Sequence, residues 1–68
     1  MQVTAILTPA EEGGYIALNP ETGTASQGET VEEALANLRE AVELYLEDEP
    51  MKLMGTPLVT TMTIKEHA

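Results

Sequence analysis

The sequence predicts a small α+β domain in which one amphipathic helix packs on one face of a mostly antiparallel sheet, in the order β-β-β-α-β. Three observations predict this two-layer fold. Short β-branched, alternating segments fill the amino-terminal part, a helical apolar stripe follows, and residues 58–65 alternate again between apolar and polar side chains. A chain of 68 residues is expected to form one domain, residues 1–68.

The first three elements are short strands separated by turn-forming residues. Residues 2–8 alternate well enough for a strand, which is expected to end at Pro9 because proline has no N–H to donate to a ladder. A second strand is predicted over residues 15–19. Residues 24–27 are short and polar, which is typical of an edge strand.

The helix has clear signals at both ends. Thr30 is a predicted N-cap, with Glu33 completing a capping box, and Gly28 is expected to adopt a positive φ just before it. The helix should end near Asp48, because Pro50 disfavours helical geometry in the residue before it. Its predicted core-facing side chains are Val31, Ala34, Leu35, Leu38, Ala41, Val42, Tyr45 and Leu46.

The last predicted strand, residues 58–65, has one apolar and one threonine-rich face. An apolar, uncharged strand favours aggregation unless something covers it. We therefore expect a homodimer or a higher homo-oligomer that uses this strand or the loop before it. The residues predicted at that interface are Met51, Leu53, Met54, Leu58 and Met62.

The charge balance argues against several classes of partner. Twelve acidic and three basic residues give a net charge of −9, which opposes nucleic-acid binding because phosphates would be repelled. The longest uncharged run, 12 residues between Lys52 and Lys65, is too short for a membrane span of about 20 residues. With no signal-peptide pattern and no cysteine, a cytoplasmic location is expected.

No catalytic, metal or cofactor site is predicted, and we expect a non-enzymatic protein. Residues 29–49 contain eight acidic residues and one basic residue, but these carboxylates lie along one helix face or at its ends and diverge from the axis. His67 is the only histidine and lies next to the carboxyl terminus, where fraying is expected. Ser26, the only serine, has no histidine near it in the sequence.

The acidic helix face is either a solvated surface or a binding surface for a basic partner. Leu44 projects within it, either as an ordinary exposed leucine or as an apolar anchor ringed by charge. Tyr15 has the amphipathic ring that is favoured at interfaces, although a half-buried position in the sheet is the more usual role of such a tyrosine. The candidate partner-binding residues are Glu11, Glu12, Tyr15 and Leu44.

Several short segments stand out by their order and spacing: Gly14-Tyr15-Ile16-Ala17, Pro20, Gln27-Gly28-Glu29-Thr30-Val31-Glu32-Glu33-Ala34, Asn37-Leu38-Arg39-Glu40-Ala41 and Tyr45. Together they resemble the HicB-like antitoxin family, over about residues 2 to 48. They correspond to a strand start, a turn, a helix cap and a helix core. The segment between Pro20 and Gly28 departs from the family, because Glu21-Thr22-Gly23-Thr24 replaces its usual leucine-proline-glycine-cysteine-like stretch.

The resemblance implies a toxin–antitoxin role, in which the protein binds a small basic HicA-like ribonuclease toxin and blocks its active site. The net charge of −9 suits a basic partner independently of the family. The DNA-binding region that such antitoxins append is not expected here, so operator binding is not carried over. The alternative is a homo-oligomeric structural or regulatory protein of the same fold without a toxin partner.

Overall fold

The computed structural model describes residues 1–49 and 55–66 and contains one antiparallel sheet packed against one helix, which confirms the α+β class. Within the described residues, no helix is both long enough and apolar enough to cross a membrane. The elements are β1 (Ile6–Pro9), β2 (Tyr15–Asn19), β3 (Thr24–Gly28) and α1 (Val31–Asp48).

The three strands form a meander in the order β1-β2-β3, with Leu7 opposite Ala17 and Ala17 opposite Ser26. β2 has the predicted bounds, whereas β1 starts later than predicted and includes Pro9. The late start follows from the register, since the residue opposite Thr4 would be Pro20, where the next turn begins. Pro9 is tolerated because β1 is an edge strand of this sheet.

The predicted cap of α1 is present. The Thr30 hydroxyl accepts a hydrogen bond from the Glu33 backbone N–H at 3.1 Å. The Glu33 carboxylate accepts one from the Glu29 N–H at 3.0 Å, one residue earlier than in the usual reciprocal box. The two bonds together hold the turn between β3 and α1 in one geometry.

The core is small and lies between α1 and the sheet. Ala17 and Ala34 are fully buried, and Leu38 and Val42 are nearly so. The predicted inner face of the helix is therefore confirmed along its centre, whereas its flanks remain partly exposed. The flanking residues with more than a third of their surface exposed are Val31, Leu35 and Tyr45.

A polar network joins the chain before β1 to the turn after β2. The fully buried Asn19 donates through Nδ2 to the Thr4 carbonyl and to the Glu21 carboxylate, both at 2.7 Å. Its Oδ1 accepts from the backbone N–H of Thr22 at 3.0 Å and from the hydroxyl of Thr22 at 2.6 Å. Thr4 donates to Glu21 through its backbone N–H at 3.0 Å and through its hydroxyl at 2.9 Å. Burying Asn19 is tolerated because both ends of its amide have partners.

The predicted final strand does not form within the single chain, because residues 55–66 carry no secondary structure. A strand needs a neighbour to satisfy its backbone groups, and no strand of this chain's own sheet pairs with the segment. Two of the predicted interface residues, Leu58 and Met62, are 90% and 86% exposed. The other three, Met51, Leu53 and Met54, lie outside the described residues.

Replacing Leu38 by alanine should destabilise the fold by about 2–5 kcal/mol, because it removes a large side chain from the centre of the core. Leu44→Ala is the matched control, since Leu44 lies on the same helix and is 58% exposed; its effect should stay within about 0.5 kcal/mol. Urea unfolding followed by circular dichroism measures both. Equal losses would contradict the assignment of the core.

The Glu21 carboxylate should make stability depend on pH. Partial burial raises its pKa, but hydrogen bonds from its own backbone N–H, from Thr4 and from Asn19 outweigh this and hold the pKa below the usual value. The group therefore stabilises the fold above the pKa of an unfolded glutamate, and this contribution is lost as the pH falls through the lower folded value.

Glu21→Gln should consequently be less stable than the parent near neutral pH, and the difference should narrow under acid conditions. Free energies of unfolding measured from pH 7 down to pH 3 would show the convergence. A constant difference between the two proteins across that range would contradict the assignment.

Candidate partner-binding site

An acidic cleft lies at one end of the sheet, between the β1–β2 loop and the turn from β3 into α1. These segments are neighbours because the register brings Pro9 opposite Tyr15, and Tyr15 opposite Gly28. The cleft has a volume of about 550 Å³. It is lined by Ala10, Glu11, Glu12, Gly13, Tyr15, Ile16, Gln27, Gly28, Glu29 and Glu33.

The lining of the acidic cleft combines negative charge with apolar surface. Of the described residues that line it, four are glutamates and none is basic. Tyr15 is half-buried and packs against the core, so its ring has a fixed position, while Ile16 is 44% exposed. An aromatic ring beside carboxylates can hold the charged head of lysine or arginine together with its alkyl stem. The chemistry of the cleft therefore favours a cationic protein side chain over an anion.

Two glycines place the β1–β2 loop against the end of β3. Gly13 and Gly14 have φ values of +103° and +76°, a region that L side chains rarely adopt. A Cβ atom on Gly14 would lie 2.6 Å from the Gly28 carbonyl oxygen. The loop closes on itself through hydrogen bonds from Ala10 N–H to the Gly14 carbonyl at 2.9 Å and from Gly13 N–H to the Ala10 carbonyl at 3.1 Å. Glu11 and Glu12 are thereby held at the mouth of the cleft.

Gly28 sets the position of the opposite wall. A Cβ atom there would lie 2.5 Å from the backbone nitrogen of Ala34 and 2.8 Å from the carbonyl carbon of Glu33. The expectation that Gly28 adopts a positive φ is wrong, because the positive-φ glycines are at other positions. Its missing side chain instead lets the first turn of α1 approach β3. Asn37 reinforces this approach, since its Nδ2 donates to the Gln27 carbonyl at 2.7 Å.

The structure brings together three of the four predicted partner-binding residues. Glu11, Glu12 and Tyr15 line the acidic cleft, whereas Leu44 does not. Leu44 is 58% exposed and follows Glu33 by 11 residues on the same helix, which corresponds to about 16 Å along the axis. If Leu44 contacts a partner, it does so at a different part of the surface.

Sequence reasoning missed Glu29 and Glu33 as members of the site. The sequence assigns Glu33 to the helix cap and Glu29 to the acidic start of the helix. Neither role indicates that these residues lie near the β1–β2 loop. A signal was nevertheless present. In a three-strand antiparallel meander β1 and β3 run in the same direction, so they finish at the same end of the sheet and the β1–β2 loop comes close to the helix start.

The carboxylates of the cleft do not form a metal centre of the usual kind. Across residues 1–49 and 55–66, no group of three or more histidine, cysteine, aspartate or glutamate side chains is placed to hold an ion. Thr30 and Glu33 satisfy backbone N–H groups at the helix start, so these donors are not free for an anion.

The family to which the chain belongs is shown by its sequence. The model of a family of unknown function, DUF7387, matches residues 3–63 and so includes both walls of the acidic cleft. The chain is a member of DUF7387. Membership of DUF7387 assigns no activity.

Relatives of this DUF7387 chain occur in distant organisms. A UPF0150 protein of Synechocystis sp. is 48% identical over 48 residues, which are 69% of this chain and 67% of the relative. One from Helicobacter pylori is 47% identical over 49 residues, covering 71% of this chain and 67% of the relative. A third, from Thermoplasma acidophilum, is 42% identical over 48 residues, covering 69% and 70%.

Replacing Gly28 by alanine should destabilise the fold by about 1–3 kcal/mol, because the added methyl group would clash with backbone atoms of α1. Backbone cannot move aside as the end of a flexible side chain can. Gln27→Ala is the control, since the Gln27 side chain is exposed and only its carbonyl is used. Thermal unfolding of both variants measures the difference. A Gly28→Ala protein as stable as the control would show that the close approach does not constrain the fold.

Proposed function

We propose that this protein is a HicB-like, non-enzymatic binding module that binds and inhibits a small basic ribonuclease toxin. The observation that carries the proposal is the acidic cleft, whose lining combines four glutamates with the half-buried Tyr15. A lysine or arginine of the toxin enters this cleft. Because basic residues also contact RNA in such toxins, covering them competes with the substrate.

The electrostatics of the whole protein support a basic partner. Residues 1–49, which form the sheet and the helix, contain eleven acidic residues and only Arg39 as a base, a net charge of −10. A field of one sign raises the rate at which oppositely charged proteins meet and disfavours anionic partners. The acidic cleft then supplies short-range contacts, in which a guanidinium group could bond to two carboxylates.

The relatives support the proposal at the level of the family. UPF0150 is a HicB-like family, and the UPF0150 proteins of three organisms share between 42% and 48% of aligned residues with this chain. Their names assign no toxin, so the inhibitory role rests on the cleft and on the resemblance in sequence.

The alternative, a homo-oligomeric protein without a toxin, is favoured by a different observation. Four large apolar side chains of the carboxy-terminal segment are 56% to 90% exposed: Leu58, Val59, Met62 and Ile64. Self-association through this segment leaves the acidic cleft free, so recovery of a toxin partner, and not the oligomeric state, separates the two hypotheses.

The charge-neutral double variant Glu11→Gln/Glu12→Gln should bind the toxin about 10- to 100-fold more weakly, because it removes two of the four carboxylates of the cleft. The matched control is Glu40→Gln/Glu47→Gln, which removes the same charge from exposed positions outside the cleft. Titration calorimetry with the small basic protein encoded beside this gene measures both affinities. Growth rescue on coexpression provides the functional readout.

Two outcomes would contradict the proposal. If both double variants lose affinity equally, net charge alone explains binding and the cleft is not the site. If the neighbouring reading frames encode no small basic protein and none copurifies from the native host, the antitoxin role loses its support and the homo-oligomeric alternative replaces it.

A further inference from the structure

A second concavity, of about 680 Å³, lies between residues 1–5 and α1, away from the acidic cleft. We call it the apolar groove, because most of its walls are hydrocarbon. Its large apolar lining residues are Met1, Val3, Leu35, Leu38, Val42 and Leu46. Arg39 and Glu43 stand among them as the charged members of the lining.

The apolar groove is open among the described residues, because β1 is an edge strand and the residues before it pair with no other strand. Residues 1–5 carry no ladder partner, although Thr4 bonds to Asn19 and Glu21, and no further described residue covers the flank of α1 beside them. Leu35, which the helix pattern assigns to the core, is 38% exposed for this reason. One further strand beside residues 1–5 would pair with backbone groups other than those of Thr4 and would bury this flank.

The chain itself contains a segment with the pattern of such a strand. Residues 53–64 are uncharged, and in an extended conformation one face of residues 58–64 carries Leu58, Met62 and Ile64 together with one threonine. In the structure Leu58, Met62 and Ile64 are 90%, 86% and 70% exposed, so this segment does not occupy the groove of its own chain. Each molecule therefore has an open apolar groove and an exposed carboxy-terminal segment that carries apolar side chains.

We propose that two copies of the protein exchange these segments, each adding residues 58–64 as a strand beside residues 1–5 of the other. Leu58, Met62 and Ile64 then lie in the apolar groove of the second copy. The arrangement is reciprocal, so the same contact is made twice around a two-fold axis, as in other exchanged dimers. It also supplies the final strand of the predicted β-β-β-α-β order from another molecule.

Charge favours a second copy as the occupant of the apolar groove. Residues 50–65 contain no acidic residue and two of the three basic residues of the chain, whereas residues 1–49 carry a net charge of −10. Two such acidic bodies repel each other wherever their faces meet directly. The carboxy-terminal segment is the one stretch of the chain that is complementary in charge to the body of another copy.

Engineered disulfides test the exchange directly, because the chain has no cysteine of its own. Val3→Cys is combined in turn with a single cysteine at each of residues 60, 61, 62 and 63, which covers the registers and both faces of the added strand. After mild oxidation of the dilute full-length protein, at least one combination should give a covalent dimer on a non-reducing gel. Leu44→Cys in place of Val3→Cys is the control, since Leu44 lies outside the groove, and it should give no such dimer.

Two results of the disulfide experiment would overturn the proposal. A disulfide within one chain, which migrates as a monomer, would show that each segment fills its own groove. Absence of any disulfide specific to Val3→Cys would show that the segment does not lie beside residues 1–5 at all.

A pair of charge substitutions gives an independent test. Met62→Glu places a charge on the face predicted to enter the groove, and Thr61→Glu places the same charge on the opposite face of the strand. Light scattering should find Met62→Glu monomeric, with an unchanged circular dichroism spectrum, and Thr61→Glu dimeric like the parent. A monomeric parent, or equal dissociation of the two variants, would overturn the exchange.

The tests of the exchange involve no toxin, so their failure is distinguishable from failure of the proposed antitoxin function. A toxin that filled the apolar groove in place of a second copy would leave the protein alone monomeric. That result counts against the exchange and leaves the acidic cleft untouched.

Discussion

The close approach of the helix to β3 is the constraint on which the rest of this structure depends. Gly28 has no side chain, and Ala34 on the first turn of α1 is fully buried, so backbone packs almost directly on backbone. Ala17 continues this contact in the neighbouring strand. Small residues at one end and larger ones, Leu38 and Val42, towards the other let α1 lie along the sheet with a thin, filled core.

Both concave surfaces follow from this packing. At the end where the helix is closest to the sheet, the β3–α1 turn meets the β1–β2 loop, and their glutamates face one another across the acidic cleft. Between α1 and residues 1–5, which belong to no strand, lies the apolar groove. Among the described residues, the acidic cleft carries negative charge with no basic residue in its lining, and the apolar groove leaves hydrophobic side chains exposed. Both properties are typical of surfaces that bind another protein. A helix shifted away from β3 would alter the shape of both.

Local patterns predicted β2, the cap and the length of the helix, because each depends on residues close together in the chain. The Thr30 hydroxyl and the Glu33 N–H are three residues apart, so a sequence motif identifies their bond. The Asn19 network was not predicted, since it joins Thr4, Asn19 and Glu21 through a register that local patterns do not specify. The same applies to Glu29 and Glu33 in the acidic cleft, which join Glu11 and Glu12 only through the order of the strands.

The sequence by itself determined the α+β class, the amphipathic helix and the acidic character of residues 1–49, because composition and periodicity carry this information. The tertiary structure decided what Gly28 does, which carboxylates converge, and that residues 55–66 form no strand with their own sheet. The physical reason is that alternating side chains indicate which face of a strand is apolar, but they do not indicate the strand with which it pairs. Pairing is a long-range contact, and for an alternating segment without a local turn the neighbour is chosen by the whole fold.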